Sequence, residues 1–155
     1  MADTAFECET LAAYLTLNPN AGAQVFSDFD KLMCMLSESN KDRRDFQSFI
    51  GFATRPDGPF IGIIRDGPKI IATGTLTVGE LYSGIHAWLD NMVVHEDYRG
   101  RKLGKKLAAY LIGEAKRVRV RQIELTSRPH RIEAHGLYEG LGFIRKETGV
   151  FVLPL

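Results

Sequence analysis

Four segments between residues 85 and 127 follow one another in an order that constrains the fold more than any other feature of the chain. The apolar run Ile85 to Val94 predicts a strand, and Gln122 to Ser127 predicts another. Between them, apolar residues recur at steps of four and three, as on one buried face of a helix: Leu103, Leu107, Leu111, Ala115 and Val118. A helix that connects two neighbouring strands makes them parallel, with a right-handed crossover.

The residues before this unit predict helices followed by antiparallel strands. A weak helical pattern runs from Phe6 to Leu17 and ends at Asn18-Pro19-Asn20. Val25, Phe26, Phe29, Leu32, Met33 and Leu36 predict an amphipathic helix with Ser27 and Asp28 near its start. A further short helix is predicted from Asp42 to Phe52. Phe60 to Arg65 and Lys69 to Val78, joined by Asp66-Gly67-Pro68, predict a hairpin.

The C-terminal residues predict one more helix and a last pair of strands. Ile132 to Leu141 forms the helix, with its inward face made of Ala134, Leu137, Tyr138 and Leu141. Gly142 stands where a left-handed C-terminal cap is common. Phe143 to Lys146 and Gly149 to Leu153 read as short strands. The predicted fold class is therefore α+β with a mixed sheet.

Composition excludes several classes of protein. The 155 residues are 45% hydrophobic and 25% charged, as in ordinary globular chains. We expect one domain, and no apolar run approaches the ~20 residues of a membrane span. No basic segment precedes the first apolar residues, so we expect a cytoplasmic protein in which Cys8 and Cys34 are reduced. The net charge of +1 argues against a general nucleic-acid binder.

The turn between the first strand and the helix of the crossover has the composition of an anion site. Unpaired N–H groups and the helix dipole favour an anion at a helix N-terminus. Gly100 and Gly104 allow a ligand to approach the main chain. Four cations surround them: Arg99, Arg101, Lys102 and Lys105. Because cations are unfavourable beside that end of the dipole, the turn predicts a bound diphosphate more readily than a solvated basic surface.

Two segments resemble the GCN5-related N-acetyltransferase (GNAT) superfamily. VVHEDYRGRKLGKKL, from Val93 to Leu107, is similar to its acetyl-CoA signature, with Lys102 in place of the middle glycine. EAHGLYEGLGF, from Glu133 to Phe143, is similar to its second signature. The resemblance covers the chain from Phe60 onward. Arg131 stands where the family often has an asparagine.

The resemblance implies a GNAT fold whose crossover strands splay apart in a V around acetyl-CoA, the co-substrate. Residues 60–155 would form the acetyl-CoA-binding core and residues 1–55 a helical region on the acceptor side. The implied cofactor-binding residues are Met92, Val93, Val94, Arg99, Gly100, Arg101, Lys102, Leu103, Gly104, Lys105, Arg131 and Tyr138. Arg131 would serve the phosphates or face solvent.

The implied activity is direct transfer of the acetyl group to a primary amine of an unspecified small molecule or protein. Tyr138 would be the acid for the departing thiolate and Asp90 the leading base. Strand alternation places Asp90 on one face with His86, Trp88, Met92 and Val94. His86, Asn91 and Glu124 are lesser candidates for the base.

Other readings of the same residues stay open at this point. One alternative is an acetyltransferase of amino sugars similar to glucosamine-6-phosphate, and another is a module that binds CoA without turnover. We predict no metal site, because His130 and His135 are five residues apart and no Cys-x-x-Cys motif occurs. We expect no nucleic-acid or membrane partner, and a homodimer is left open.

Overall fold

The computed structural model describes residues 6–37 and 44–155. Within them the strands are β1 (Cys8–Thr10), β2 (Phe60–Asp66), β3 (Lys69–Leu81), β4 (Gly84–Val94) and β5 (Gln122–Glu124). The α-helices are α1 (Leu11–Leu17), α2 (Gly22–Leu36), α3 (Phe46–Thr54), α4 (Leu103–Arg117) and α5 (Ile132–Glu139). Short 3-10 turns occupy Pro19–Ala21 and Glu96–Tyr98. None of the described helices has the length and apolarity to cross a bilayer.

The strands form one mixed sheet in sequence order, β1-β2-β3-β4-β5. Neighbours are antiparallel from β1 to β4, and β4 and β5 are parallel across the α4 crossover. This confirms the predicted α+β class and the predicted parallel unit. The pairing of β5 is shorter than predicted and joins three residues to His86, Ala87 and Trp88 of β4. Within the described part of the chain, no strand therefore lies beside the rest of β4 on that edge.

Two hydrophobic cores cover the two faces of the sheet. On one face α1, α2 and α3 pack around Leu11, Val25 and Leu32, which are at most 1% exposed. On the other face α4 packs Leu107 and Leu111 against the strands. Each predicted apolar stripe thus meets one side of the sheet.

The N-terminal region differs from the prediction in its first residues. Cys8–Thr10 is a strand that pairs with β2, so helix begins only at Leu11, where the Thr10 hydroxyl accepts a hydrogen bond from the Ala13 N–H at 3.3 Å. A threonine at this place starts a helix by capping it. The helix α3 begins at Phe46 with Asp45 as its cap. Residues 42 and 43, included in the predicted helix, lie outside the described residues.

The predicted strands at 143–146 and 149–153 are wrong. Residues 143–155 contain no strand, and their large apolar side chains are exposed: Ile144, Val150, Phe151, Val152, Leu153 and Leu155. Alternating apolar residues form a strand only against a partner. Here the neighbouring edge strand, β5, has three residues. The helix before this segment ends two residues earlier than predicted, at Glu139 with Gly140 as its cap, and Gly142 has the predicted left-handed backbone at φ 93° in the turn that follows.

Candidate active site

Two adjoining cavities open where β4 and β5 separate. The strand cavity, of about 530 Å³, lies between the second half of β4, the residues after β5 and the start of α5. It is lined by Met35, Leu36, Leu89, Asp90, Asn91, Met92, Val93, Val94, Arg99, Thr126, Ser127, His130, Arg131, Ile132, Glu133, Ala134 and Tyr138. The turn groove, of about 570 Å³, lies between the β4 to α4 turn and α5. It is lined by Met92, Val93, Val94, Tyr98, Arg99, Gly100, Lys102, Leu103, Gly104, Lys105, Glu133, Ala134, Leu137 and Tyr138.

A β-bulge in β4 shapes the junction of the two cavities. Thr73 and Thr75 of β3 pair with Val93 and Asp90, so two residues of β4 oppose one residue of β3. One of the two, Asn91, has a left-handed backbone with φ 54°. The bulge reverses the alternation of side chains beyond this point, because the extra residue shifts the pleat by one.

This bulge corrects the predicted faces of β4. Met92 and Val94 pack against the same core as Ala87 and Leu89, on the α4 side of the sheet. The predicted face that joined them to Asp90 is therefore wrong. Asp90 itself is exposed and lines the strand cavity.

The turn before α4 exposes main-chain donors. Gly100 has φ 76° and Lys102 has φ 59°, so both lie in the left-handed region. Lys102 caps α4 without a side-chain hydrogen bond, and the first helical N–H to be paired is that of Lys106, 3.1 Å from the Lys102 carbonyl. The earlier N–H groups, from Leu103 to Lys105, lie in the first turn, where a helix offers them no partner.

The predicted phosphate-binding cations do not all reach the turn groove. Lys102 and Lys105 line it, and Arg99 lines both cavities while its Nε donates to the Val94 carbonyl at 3.2 Å. Arg101 lines neither cavity and lies over the Tyr98 ring, 5.2 Å from its centroid. Arg131 lines the strand cavity alone, and its Nη2 donates to the Leu36 carbonyl at 2.8 Å.

The candidate acid, Tyr138, and the candidate base, Asp90, both line the strand cavity. Tyr138 lines both cavities, and its ring packs edge-on against Phe143. Burial, and to a lesser degree the charge of Asp90, raises the pKa of Tyr138, and Arg131 opposes that shift. The phenol therefore holds its proton through neutral pH. Asp90, Arg131 and Tyr138 all line the strand cavity.

The lesser base candidates, except Asn91, lie elsewhere. His86 bonds Ser83 Oγ at 3.1 Å at the start of β4, and Glu124 accepts from Gln122 and Lys146. Neither His86 nor Glu124 lines the strand cavity or the turn groove. Within the described part of the chain, no three His, Cys, Asp or Glu side chains come together as metal ligands.

This arrangement of a splayed sheet, a glycine turn and a tyrosine-bearing helix has a counterpart among known proteins. Residues 7–143 match the family model described as the Acetyltransferase (GNAT) family. The chain belongs to the GNAT family of acetyltransferases. The GNAT chain is thus an acyltransferase, and the family uses acetyl-CoA.

Solved structures share the fold of this GNAT protein at low sequence identity. An aminoglycoside acetyltransferase from an uncultured soil metagenomic sample, in complex with trehalose, is 16% identical with a TM-score of 0.82, over 100% of this chain and 99% of that one. Glucosamine-6-phosphate N-acetyltransferase from Arabidopsis thaliana is 19% identical with a TM-score of 0.73, over 96% and 98%. Ribosomal-protein-alanine N-acetyltransferase from Brucella melitensis biovar Abortus 2308 is 16% identical with a TM-score of 0.71, over 97% and 99%. No curated protein shows a significant sequence match.

Several lining residues of this GNAT protein were not predicted from its sequence. Met35 and Leu36 reach the strand cavity because α2 ends beside it, and they read in the sequence only as a helix face. Thr126, Ser127 and His130 line the cavity because β5 stops at Glu124. No local signal marks the early end of β5, since Leu125 continues the apolar alternation.

Proposed function

We propose that this GNAT protein transfers the acetyl group of acetyl-CoA to a primary amine. One observation carries the proposal: the turn groove and the strand cavity meet at Met92 to Val94 and at Tyr138. A long thioester lying in the groove can therefore present its acyl end to an amine in the cavity.

The turn groove fits a diphosphate and an extended amide chain. Gly100 has no Cβ, so a phosphate can approach the main chain of the turn there, whereas a Cβ at Gly104 would face Leu137 across the groove. The N–H groups of the first turn of α4 and the charges of Lys102 and Lys105 favour an anion there. The pairing of β4 with β5 ends at Trp88, so the edge at Met92, Val93 and Val94 is open to a ligand that adds like a strand.

Arg101 and Arg131, which the sequence predicted to bind acetyl-CoA, contribute less directly to its binding in this proposal. Arg101 stacks on Tyr98 outside the groove and acts on the phosphates through its charge alone. Arg131 lines only the strand cavity, where it donates to the Leu36 carbonyl. Arg99, bonded to the Val94 carbonyl, holds the end of β4 beside the groove.

The chemistry needs one group to accept a proton from the amine and one to donate a proton to the thiolate. Asp90 carries a carboxylate that is accessible from the strand cavity, directly or through a water, so it serves as the base. Tyr138 serves as the acid, because its raised pKa keeps the hydroxyl protonated. When bound, acetyl-CoA supplies the activated acetyl group.

We expect Tyr138→Phe to lower kcat at least about tenfold with little change in CoA affinity, since it removes one hydroxyl from the acid position. Asp90→Asn should act in the same way on the base. Free-thiol release over a panel of amines gives kcat, and calorimetry gives the affinity for CoA. His86→Gln is the matched control on β4, because His86 lies away from both cavities.

The measurements of thiol release and CoA binding have three possible outcomes, and each leads to a different conclusion about the proposed function. Loss of turnover with CoA affinity kept supports the enzyme. CoA binding without thiol release on any amine would favour the alternative of a CoA-binding module. A protein that CoA neither binds nor stabilises would contradict both, since a ligand at ~100 times its Kd adds about 2.7 kcal/mol to the free energy of unfolding. The cytoplasmic location and the homodimer stay predictions.

A further inference from the structure

Arg131 occupies an unusual place for a cation in this molecule. It lies directly before α5, where its N–H donates to the Arg128 carbonyl at 3.0 Å and its carbonyl accepts from His135 at 3.1 Å. Its guanidinium spans the strand cavity to the last residue of α2 and donates to the Leu36 carbonyl at 2.8 Å. A carbonyl at a helix C-terminus lacks a helical partner and attracts a cation. The side chain is therefore held in place before any ligand arrives.

Counting only partners within residues 6–37 and 44–155, this bond leaves most donors of the guanidinium free to bind. Arginine has five N–H donors, and only one is accounted for by Leu36. Among the residues that the structure describes, no carboxylate forms an ion pair with Arg131. The side chain is half-buried and lines the strand cavity. A fixed guanidinium with free donors is suited to a carboxylate or phosphate, which it binds through two parallel hydrogen bonds.

The same cavity is lined by two carboxylates, Asp90 and Glu133, and neither forms an ion pair with Arg131. Asp90 lines the cavity and is exposed on the bulge of β4, and no ion pair joins it to Arg131. Both charges act on the Tyr138 hydroxyl with opposite signs. The cavity thus presents a carboxylate, Asp90, and a separate guanidinium, Arg131, that both act on the candidate acid Tyr138.

We propose that the acceptor is a primary amine that also carries an anionic group, a carboxylate or a phosphate, and that Arg131 binds this group while the amine faces Asp90. The inference rests on the proposed acetyl transfer and names its substrate class. Arg131 is here a specificity-determining residue of the acceptor site. It leaves the phosphates of CoA to the turn groove, which Arg131 does not line.

The test compares amines that differ only in the anion. The phosphate pair is glucosamine-6-phosphate and glucosamine, and the carboxylate pair is an amino acid and its amide. Their binding to the complex of the protein with CoA is measured by calorimetry, which needs no turnover because CoA has no acetyl group. We expect the anionic member of at least one pair to bind about tenfold tighter or more, as for a hydrogen bond to a charged group. The pair that shows the preference identifies the anion.

Arg131→Met removes the guanidinium at similar length, and Arg131→Lys keeps the charge without the fork. We expect Arg131→Met to abolish the preference and Arg131→Lys to keep part of it, with CoA affinity within about twofold of wild type in both. Arg128→Met is the matched control, an exposed arginine three residues away that lines neither cavity, and it should keep the preference.

Two outcomes overturn the proposal. The first is that neither anionic amine binds tighter than its neutral partner. The second is that Arg131→Met weakens CoA instead of the acceptor, which would make Arg131 a CoA ligand. Both are independent of acetyl transfer itself, which is judged by thiol release. A protein that acetylates neutral and anionic amines equally well would thus retain the proposed function and lose this inference.

Discussion

At the scale of single residues, Lys102 replaces the middle glycine of the acetyl-CoA signature and has a strained backbone there. Its φ of 59° and ψ of 16° lie in the left-handed region, which glycine occupies without penalty and a residue with a Cβ does not. The turn thus keeps the backbone path that a glycine would favour, and the lysine adds an ammonium group to the rim of the turn groove. Local strain has been accepted at a position that lines the candidate site.

We expect Lys102→Gly to raise the free energy of unfolding by about 1 kcal/mol, because relief of the left-handed strain exceeds the extra flexibility of glycine in the unfolded chain. The same change should weaken CoA several-fold, since it removes a cation from the groove. Urea unfolding and calorimetry measure the two effects.

Arg119→Gly provides the control for Lys102→Gly. Arg119 lies two residues after the end of α4, has the same left-handed conformation with φ 59°, and lines neither cavity. It should gain similar stability and leave CoA affinity unchanged. A loss of stability in Lys102→Gly, or an equal loss of CoA affinity in both variants, would contradict the account of the turn.

At the scale of elements, the contact between α4 and α5 depends on Gly104. A Cβ placed there would stand 3.1 Å from Leu137 Cδ1 and 3.7 Å from Val94 Cγ2. The contact with Leu137 is tighter than ordinary packing allows, so an added methyl group would displace the Leu137 side chain and fill part of the groove that both residues line. The turn therefore needs a glycine at position 104, where Leu137 and Val94 approach the main chain closely.

The matched pair Gly104→Ala and Gly113→Ala separates this packing from helix propensity. Gly113 lies on the same helix with nothing within 4 Å of an added Cβ, so alanine there should add about 1 kcal/mol to the free energy of unfolding. Gly104→Ala should fail to gain that stability and should weaken CoA about tenfold. Equal effects of the two substitutions on CoA affinity would show that the groove does not depend on Gly104.

The elements that the sequence predicted well are those whose pattern is local. The apolar face of α4, the hairpin of β2 and β3, and the end of α1 at Asn18 all follow from periodicity and turn residues within one segment. The bulge at Asn91 does not, because it depends on the register of β4 against β3, and on Gly74, where a Cβ would collide with Met92. Because the bulge shifts the alternation of side chains, the sequence-based prediction assigned Met92 and Val94 to the wrong face of the sheet.

The candidate site likewise contains residues that local motifs predict and residues whose surroundings depend on distant parts of the chain. Gly100, Gly104 and Tyr138 were predicted from motifs, and they line the groove or the junction. The surroundings of Arg131 were not, since its partner Leu36 is 95 residues away in the chain. A contact of that kind follows from how α2 packs on the sheet, which short-range patterns do not encode.

At the scale of the whole molecule, the sheet separates two cores and ends at β5. The cavities lie at that end, where β4 has one paired edge and one open edge. Residues 143–155 follow α5 without joining the sheet, and Lys146 contacts Glu124 across 3.4 Å on the surface. Their apolar side chains contribute to neither core, apart from Phe143, which packs beside Tyr138.

The stability of the molecule should therefore depend little on its last residues. Val150 to Leu153 are 71–97% exposed, so removing residues 149–155 forfeits little buried apolar area, and burial supplies most of the free energy of folding. We expect the truncated chain to keep its Tm within a few degrees of the full chain by calorimetry. Phe143→Ala is the contrasting variant, because it removes the ring against Tyr138 and should lower Tm and turnover together. A large fall in Tm on truncation would show instead that these residues pair in solution as the strands their alternation predicts.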